Sequence, residues 1–474
     1  MSDTPWLAWT VVAPLAGGVL SLLVTTRAIF VAAIASLATI ASSAQVVWQV
    51  WTRGVVRHAV GGWSAPLGIT LRADGLGALL LATFGVVGLL VSLHAAVLLG
   101  ARKRAERFLA LWLFAWAALD ALALSADVFN LYVTLELTTL TAVGLIALER
   151  APAALTAGLR YLLLALIGSL FYLTGVALLY GATSTLDLEL LRARLSREPA
   201  AWAALALMTS GLSLKAGLFP LHAWIPPAYA NAPATVSAIL SALIGKAPWI
   251  VLVRVWLEAT PPALHGRSAP LFGVLGAGAI VWGSLLAIRA RRLKRVLAYS
   301  SLAHVGYLFL LFTLDGPLAL RGAVYMAVSH AAASAAMFTA AGIVERSVGH
   351  DDMQALKGLA HRRPVTFFAL GLAGTSLMGL PPSGGFVAKW LLARAALEQG
   401  QWWWAVVVVG GGLLGAAYVL PIWRGSFLPL PHGLELHDVP RATETVSLTL
   451  AVIAVALGVA PTAPLALLAV GRLP

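Results

Sequence analysis

Six charged side chains stand inside long apolar runs: Asp120, Glu136, Lys215, Lys246, Arg254 and Lys389, with His304 and His330 as ionisable neighbours. A charge at the centre of a bilayer costs at least a few kcal/mol, so its default reading is functional. Glu136 lies in NLYVTLELTTL, with Thr134 and Thr138 beside it. Lys215 falls just before a proline- and glycine-rich interruption, and Lys389 just after another. Desolvation penalises a charged lysine, and a nearby carboxylate offsets that penalty. A carboxylate that moves on or off such a lysine loads or releases a proton, a pump element that needs no cofactor.

Each of these residues also has a bland reading. Glu136 and Lys215 could form a static buried pair, and Lys246, in SALIGKAPW, could be structural. Arg254, one or two turns further on, reads as snorkelling to the outer interface. His304, in SSLAHVGY, divides evenly between a packed ring and a relay; His330, in AVSHAAASAAMF, has small neighbours that leave room for water. Asp120 is either a genuine intramembrane acid or close enough to an interface to be wet.

The elements that must position these residues follow from composition. Of 474 residues, 60% are hydrophobic and 11% charged, against about 25% charged in soluble domains. A water-soluble enzyme is excluded. The absence of cysteine excludes disulfides, zinc–thiolate sites and protein-ligated iron–sulfur clusters, so any redox centre belongs to a partner subunit. The net charge of +13 sits in short loops between apolar segments, the topology signal of a membrane protein and not of a nucleic-acid binder. No Walker A sequence, dinucleotide fingerprint or HExxH occurs, so no redox or hydrolytic chemistry, cofactor or metal is expected in this chain.

Runs of about twenty apolar residues mark membrane-crossing helices. Fourteen are expected: 6–25, 28–50, 75–100, 107–125, 128–148, 157–181, 200–221, 233–257, 270–289, 293–313, 319–344, 364–392, 402–423 and 443–470. The first follows an acidic start without a basic region and reads as a retained helix. One set of loops holds Arg27, Arg102–Arg104, Arg107, Arg289–Arg295, Arg362, Arg363 and Arg441, which places that side in the cytoplasm and both termini outside. Residues 58–73 read as an outer hairpin, and TLDLELLRARLSRE (185–198) as an amphipathic surface helix. The seventh and twelfth spans are interrupted, at 215–227 and 379–385. Broken helices in corresponding halves point to a repeat around a midplane ion site. Helices four to eight and nine to thirteen then form two five-helix units, inverted because five is odd. The expected division is 1–106, 107–258, 259–425 and 426–474.

ADVFNLYVTLEL, LSLKAGLFPLHAWIPPAYANAPATVSAILSALIGKAP, RRLKRVLAYSSLAHVGY, SHAAASAAMFTAAG and GLPPSGGFVAKW resemble the antiporter-like proton-translocating subunits. That family includes the L, M and N subunits of respiratory complex I, the A and D subunits of Mrp cation/proton antiporters, and membrane subunits of energy-converting hydrogenases. The resemblance runs from about residue 60 to about 425 and is closest to the Mrp D type. It implies an all-α, fourteen-helix core in a bacterial or archaeal cytoplasmic membrane. It implies Glu136 as the charge partner at a subunit contact, Lys215 as the proton-loading lysine and Lys246 as the connecting lysine. His330 belongs to the second half-channel, with Lys389 as its terminal lysine. His304, His222, Ser334 and Asp120 are further candidates. Ser334 departs from the pattern, which often has lysine four residues after the histidine; a hydroxyl can hold a relay water but carries no charge near neutral pH.

The leading expectation is therefore a proton-conducting subunit of a multi-subunit antiporter exchanging protons for Na+ or another monovalent cation. The alternatives are a pump module driven by redox partners, a proton channel serving an inorganic-carbon-accumulating complex, and a scaffold that conducts nothing. Expected partners are other membrane subunits and the lipid bilayer, with no nucleic acid.

Overall fold

The computed structural model describes residues 5–24, 27–98, 102–195, 198–261, 269–430 and 437–471. Two long helices, α1 (Trp6–Leu23) and α2 (Ala28–Arg53), precede a two-stranded antiparallel hairpin, β1 (Val56–Ala59) and β2 (Thr70–Ala73), in which Val56 faces Ala73. Then come α3 (Gly75–Leu98), α4 (Arg102–Leu124), α5 (Val128–Ile146), α6 (Pro152–Thr183) and the short surface helix α7 (Leu188–Arg194). The hairpin and the amphipathic helix stand where the sequence placed them, the latter shorter than expected.

The seventh span is split into α8 (Pro199–Ala216) and α9 (Ile225–Asn231). The eighth combines α10 (Ala234–Ala242), a tight turn at Ile244–Lys246, α11 (Ala247–Val253) and a wide turn at Arg254–Ala259. The second half holds α12 (Ala269–Arg289), α13 (Leu293–Phe309) and α14 (Pro317–Val348), then the one-turn α15 (Leu359–Arg362). The split pair α16 (Pro364–Met378) and α17 (Gly384–Glu398) follows, then α18 (Trp402–Phe427), α19 (Arg441–Val459) and α20 (Thr462–Leu468). Among the described residues, twelve spans are long and apolar enough to cross a membrane, the interrupted 234–259 included. With the two split ones they make the expected fourteen. The chain is an all-α, multi-pass integral membrane protein.

The breaks have a local cause. Gly217 (φ +66°) and Gly379 (φ +80°) end α8 and α16 in the left-handed region that favours glycine. In both, the residue after the glycine bonds back toward the preceding turn: Leu218 N–H to the Ser213 carbonyl (3.0 Å) and Leu380 N–H to the Thr375 carbonyl (3.1 Å). Prolines then prevent the helix from resuming at once, and Ser383 caps the new start by accepting from Phe386 N–H (3.2 Å). The interruption at Leu243 (φ −123°, ψ −63°) was not read from the sequence. It precedes Pro248, which lacks an N–H to continue the ladder.

Small residues let helices approach closely. A Cβ on Gly168 would lie 2.8 Å from the Gly211 carbonyl, and one on Gly276 would lie 2.8 Å from the Gly306 carbonyl. These two crossings lock α6 to α8 and α12 to α13. The alanine-rich α14 is the axis: its apolar window is 100% buried by other helices, whereas α12 shows 44%.

At the end of the bundle opposite the arginine-rich loops, a balanced set of buried charges ties the hairpin to α11. Arg254 is not at the interface, as its position suggested. It is fully buried, donates to Asp74 (2.9 Å to Oδ1), pairs with Glu258 and reaches the Ala123 carbonyl (3.2 Å). Arg72 bonds both Asp74 (3.3 Å) and Glu258. Burial opposes the charge on Asp74, but Arg254 and then Arg72 hold its carboxyl below the usual carboxylate range. Arg254→Met would leave two buried carboxylates to share Arg72 alone, with one negative charge uncompensated, and is expected to cost about 3–5 kcal/mol, seen as a lower thermal midpoint of the purified protein. A loss under about 1 kcal/mol would mean that water screens the cluster as at a surface.

Candidate functional site

Helix α5 carries Glu136 and Thr139 on the face toward α6 and α8. Lys215, in the last turn of α8, places its Nζ 2.6 Å from Glu136 Oε1 and 3.4 Å from Thr139 Oγ1. Ser169 of α6 donates to the same Glu136 oxygen at 2.5 Å. The missing side chain of Gly168 makes this possible, since a Cβ there would sit 3.0 Å from Lys215 Cγ. The Lys215 side chain is 3% exposed and that of Glu136 is 19% exposed. Glu136 therefore reaches the surface of the chain at mid-membrane, beside exposed Val133 and Leu140.

Lys246 occupies the α10 interruption without a carboxylate. Its ammonium donates to the carbonyls of Ser241 (2.6 Å) and Ala242 (2.8 Å), which the broken ladder leaves free. It shares a small cavity with Tyr229, Ser241, Ser301, His304 and His330. The cavity volume is about 10 Å³, room for roughly one water. Ser241 and Ser301 hydroxyls meet across it at 2.7 Å. The His304 and His330 rings lie 4.3 Å apart, centroid to centroid. His304 donates through Nδ1 to the Ser300 carbonyl (2.8 Å), while His330 Nδ1 has no partner among the described residues.

Lys389 repeats the pattern of Lys246. Its Nζ donates to the carbonyls of Leu377 (3.0 Å) and Met378 (2.9 Å), the last residues of α16, where the helix dipole is negative. The ammonium also lies 4.9 Å from the centre of the Tyr307 ring. The Leu377 carbonyl faces His304 as well, which joins Lys389 to the histidine pair.

The expected residues thus gather around helix breaks: Glu136 with Lys215, then Lys246 with His304 and His330, with Lys389 adjoining. The other three stand apart. His222 stacks on Phe219, itself packed on Gly278 of α12. Among the described residues, Ser334 bonds only the Ala331 carbonyl of its own helix (3.5 Å). Asp120 is fully buried in α4, with neither oxygen bonded among the described residues. The sequence reading missed Ser169 and Thr139, ordinary-looking hydroxyls, and also Lys294. Lys294 is buried, pairs with Glu345 (2.9 Å) and donates to the Ala232 carbonyl (3.2 Å). Its place in an arginine-rich loop motif concealed it.

A family described as NADH:quinone oxidoreductase/Mrp antiporter, TM matches residues 125–415, more than half of the chain. The chain belongs to that family. It is 37% identical over 418 residues to the N subunit of an NADH-quinone oxidoreductase from Desulforudis audaxviator, covering 86% of this chain and 83% of that one. It is 28% identical over 400 residues to the D-type subunit of a Na(+)/H(+) antiporter from Bacillus subtilis, covering 83% and 80%. The fold superposes on a chain of the Mrp complex from Dietzia with a TM-score of 0.91 at 26% identity, covering 98% of this chain and 96% of that one. That solved relative is part of a multi-subunit complex.

The Lys389 arrangement depends on Gly379, because a Cβ there would come 2.5 Å from Lys389 Cδ in a left-handed backbone. Gly379→Ala is expected to destabilise by about 1–2 kcal/mol from backbone strain alone, read as a lower thermal midpoint. An unchanged midpoint would show that the break relaxes freely.

Proposed function

We propose that this chain is the proton-translocating subunit of a multi-subunit membrane complex, most concretely a monovalent cation/proton antiporter of Mrp type. The observation that carries the reading is the buried Lys215–Glu136 pair at a helix break, with Glu136 open to the outer surface of α5. While Glu136 faces Lys215, its charge holds the proton on the lysine. When an adjacent protein of the complex pulls Glu136 away, Lys215 is left with fewer partners and releases its proton toward Lys246. Lys246, His304 and His330 carry it through the one-water cavity, and Lys389 closes the path. Backbone carbonyls, which cannot be protonated here, hold Lys246 and Lys389 in place without trapping their protons as a carboxylate would.

Residues 107–258 and 259–425 serve as two inverted half-channels, each with one helix broken at a left-handed glycine. The arginine-rich loops face the cytoplasm of a bacterial or archaeal cell, the membrane is the cytoplasmic one, and both termini lie outside. The transported ions are protons and Na+ or another monovalent cation. Neither a cofactor nor a metal is needed on this chain.

A second reading has its own support: the relative at 37% identity is named as part of a quinone oxidoreductase. On that reading, redox partners drive the same proton path. Co-purified partners separate the two, since small antiporter subunits favour the first and flavin or iron–sulfur proteins the second. For either, Lys215→Ala or Glu136→Ala is expected to abolish proton flux by the assembled complex in proteoliposomes while assembly survives. Normal flux with both substitutions present would remove the channel assignment.

A further inference from the structure

Among the described residues, a second and larger cavity, about 640 Å³, lies at the basic face between α12, α13 and α18. Arg291, Asp352 and Lys357 stand at its rim, and Tyr418 lines its depth. The Tyr418 ring is almost wholly buried, and its hydroxyl meets the buried Ser300 hydroxyl at 2.9 Å. The proton path from Lys215 to Lys389 makes no use of this pair.

What lies beyond it is the second half of the relay. Ser300 is one turn before His304, and its carbonyl accepts from His304 Nδ1. On α18, positions 412, 415 and 418 follow one another along one face. A Cβ on Gly412 would lie 3.8 Å from Lys389 Nζ. One on Gly415 would lie 3.5 Å from Met378 Cα and 3.7 Å from the Tyr418 hydroxyl. Met378 supplies a carbonyl to Lys389. The absent side chains therefore let the α18 backbone pack close to the end of α16, which brings the tyrosine hydroxyl into the neighbourhood of the lysine.

We infer that the Tyr418–Ser300 hydroxyl pair is the proton gate between the basic-face cavity and the Lys389–His304 cluster. This rests on the proposed proton-translocating role and assigns it a way in from the basic side. A protonated water in the cavity gives a proton to the Tyr418 oxygen as the tyrosine passes its own to Ser300. Ser300 releases its original proton to a water on the inner side. Both hydroxyls end neutral, and one proton has crossed. Two hydroxyls suit a gate because each both donates and accepts, whereas neither stores charge that would hold the proton back.

The test uses the assembled complex in proteoliposomes. Tyr418→Phe removes the hydroxyl and keeps the ring, and Ser300→Ala removes the other; each is expected to lower proton flux by about 100-fold or more, the scale of a lost positioned proton donor. The double variant is expected to be no slower than the worse single one, since both lie on one path. Ser300→Thr, which restores a hydroxyl, recovers flux relative to Ser300→Ala. Should Tyr418→Phe fail to assemble, the alanine and threonine variants at 300 decide the matter. Flux within about twofold of the parent in Tyr418→Phe or Ser300→Ala, with Lys215→Ala inactive, overturns the gate and leaves the proposed function standing. Unchanged flux in all three removes both.

Discussion

A helix broken inside a bilayer meets no bulk water, so every carbonyl freed by the break needs a partner from the protein or a trapped water. An unsatisfied backbone group in hydrocarbon costs several kcal/mol. Two breaks in this chain answer that constraint with an ammonium: Lys246 at Ser241 and Ala242, and Lys389 at Leu377 and Met378. The dependence runs both ways. The lysines satisfy the carbonyls, and the carbonyls stand in for the hydration the lysines have lost. Position and charge are thus one feature, and moving a break would move the charge with it. Lys215 differs because its partner is a carboxylate, Glu136, that is itself partly exposed.

Helix α13 joins the two halves of this arrangement. Ser301 points to Ser241 and the Lys246 cavity and Ser300 to Tyr418, while His304 lines that cavity beside His330 and also faces the end of α16. Its tight crossing with α12 through Gly306 and Gly276 fixes the register of both faces at once. Neighbouring residues on one helix therefore serve two different neighbourhoods, and a rotation of α13 would disturb both.

Much of this could be read from sequence because bilayers impose length and polarity on each span. The fourteen crossings, the hairpin, and the two proline–glycine breaks all follow from local composition. The positions of Lys215 and Lys389 beside those breaks follow as well. What could not be read depends on residues far apart in the chain. Asp74 and Arg254 are separated by 180 positions and Ser300 and Tyr418 by 118, with no periodic signal linking them. Arg254 looked like an interfacial arginine because its partner Asp74 belongs to a different segment. The Leu243 interruption escaped because Gly245, Lys246 and Pro248 stand singly inside an otherwise apolar run. That Lys246 and Lys389 bond carbonyls and no carboxylate is likewise a property of packing.

The complete enclosure of α14 has a consequence for how the protein is made. Its partners include α3 and α10, already synthesised when it emerges, but also α16, α17 and α19, which are not. During translation its alanine, serine and histidine face must meet lipid on the side those later helices will cover. Its many small side chains offer little apolar surface to acyl chains, so the helix gains its close fit only when the second half arrives. A chain cut between residues 348 and 364 would keep this helix without the later partners that enclose it.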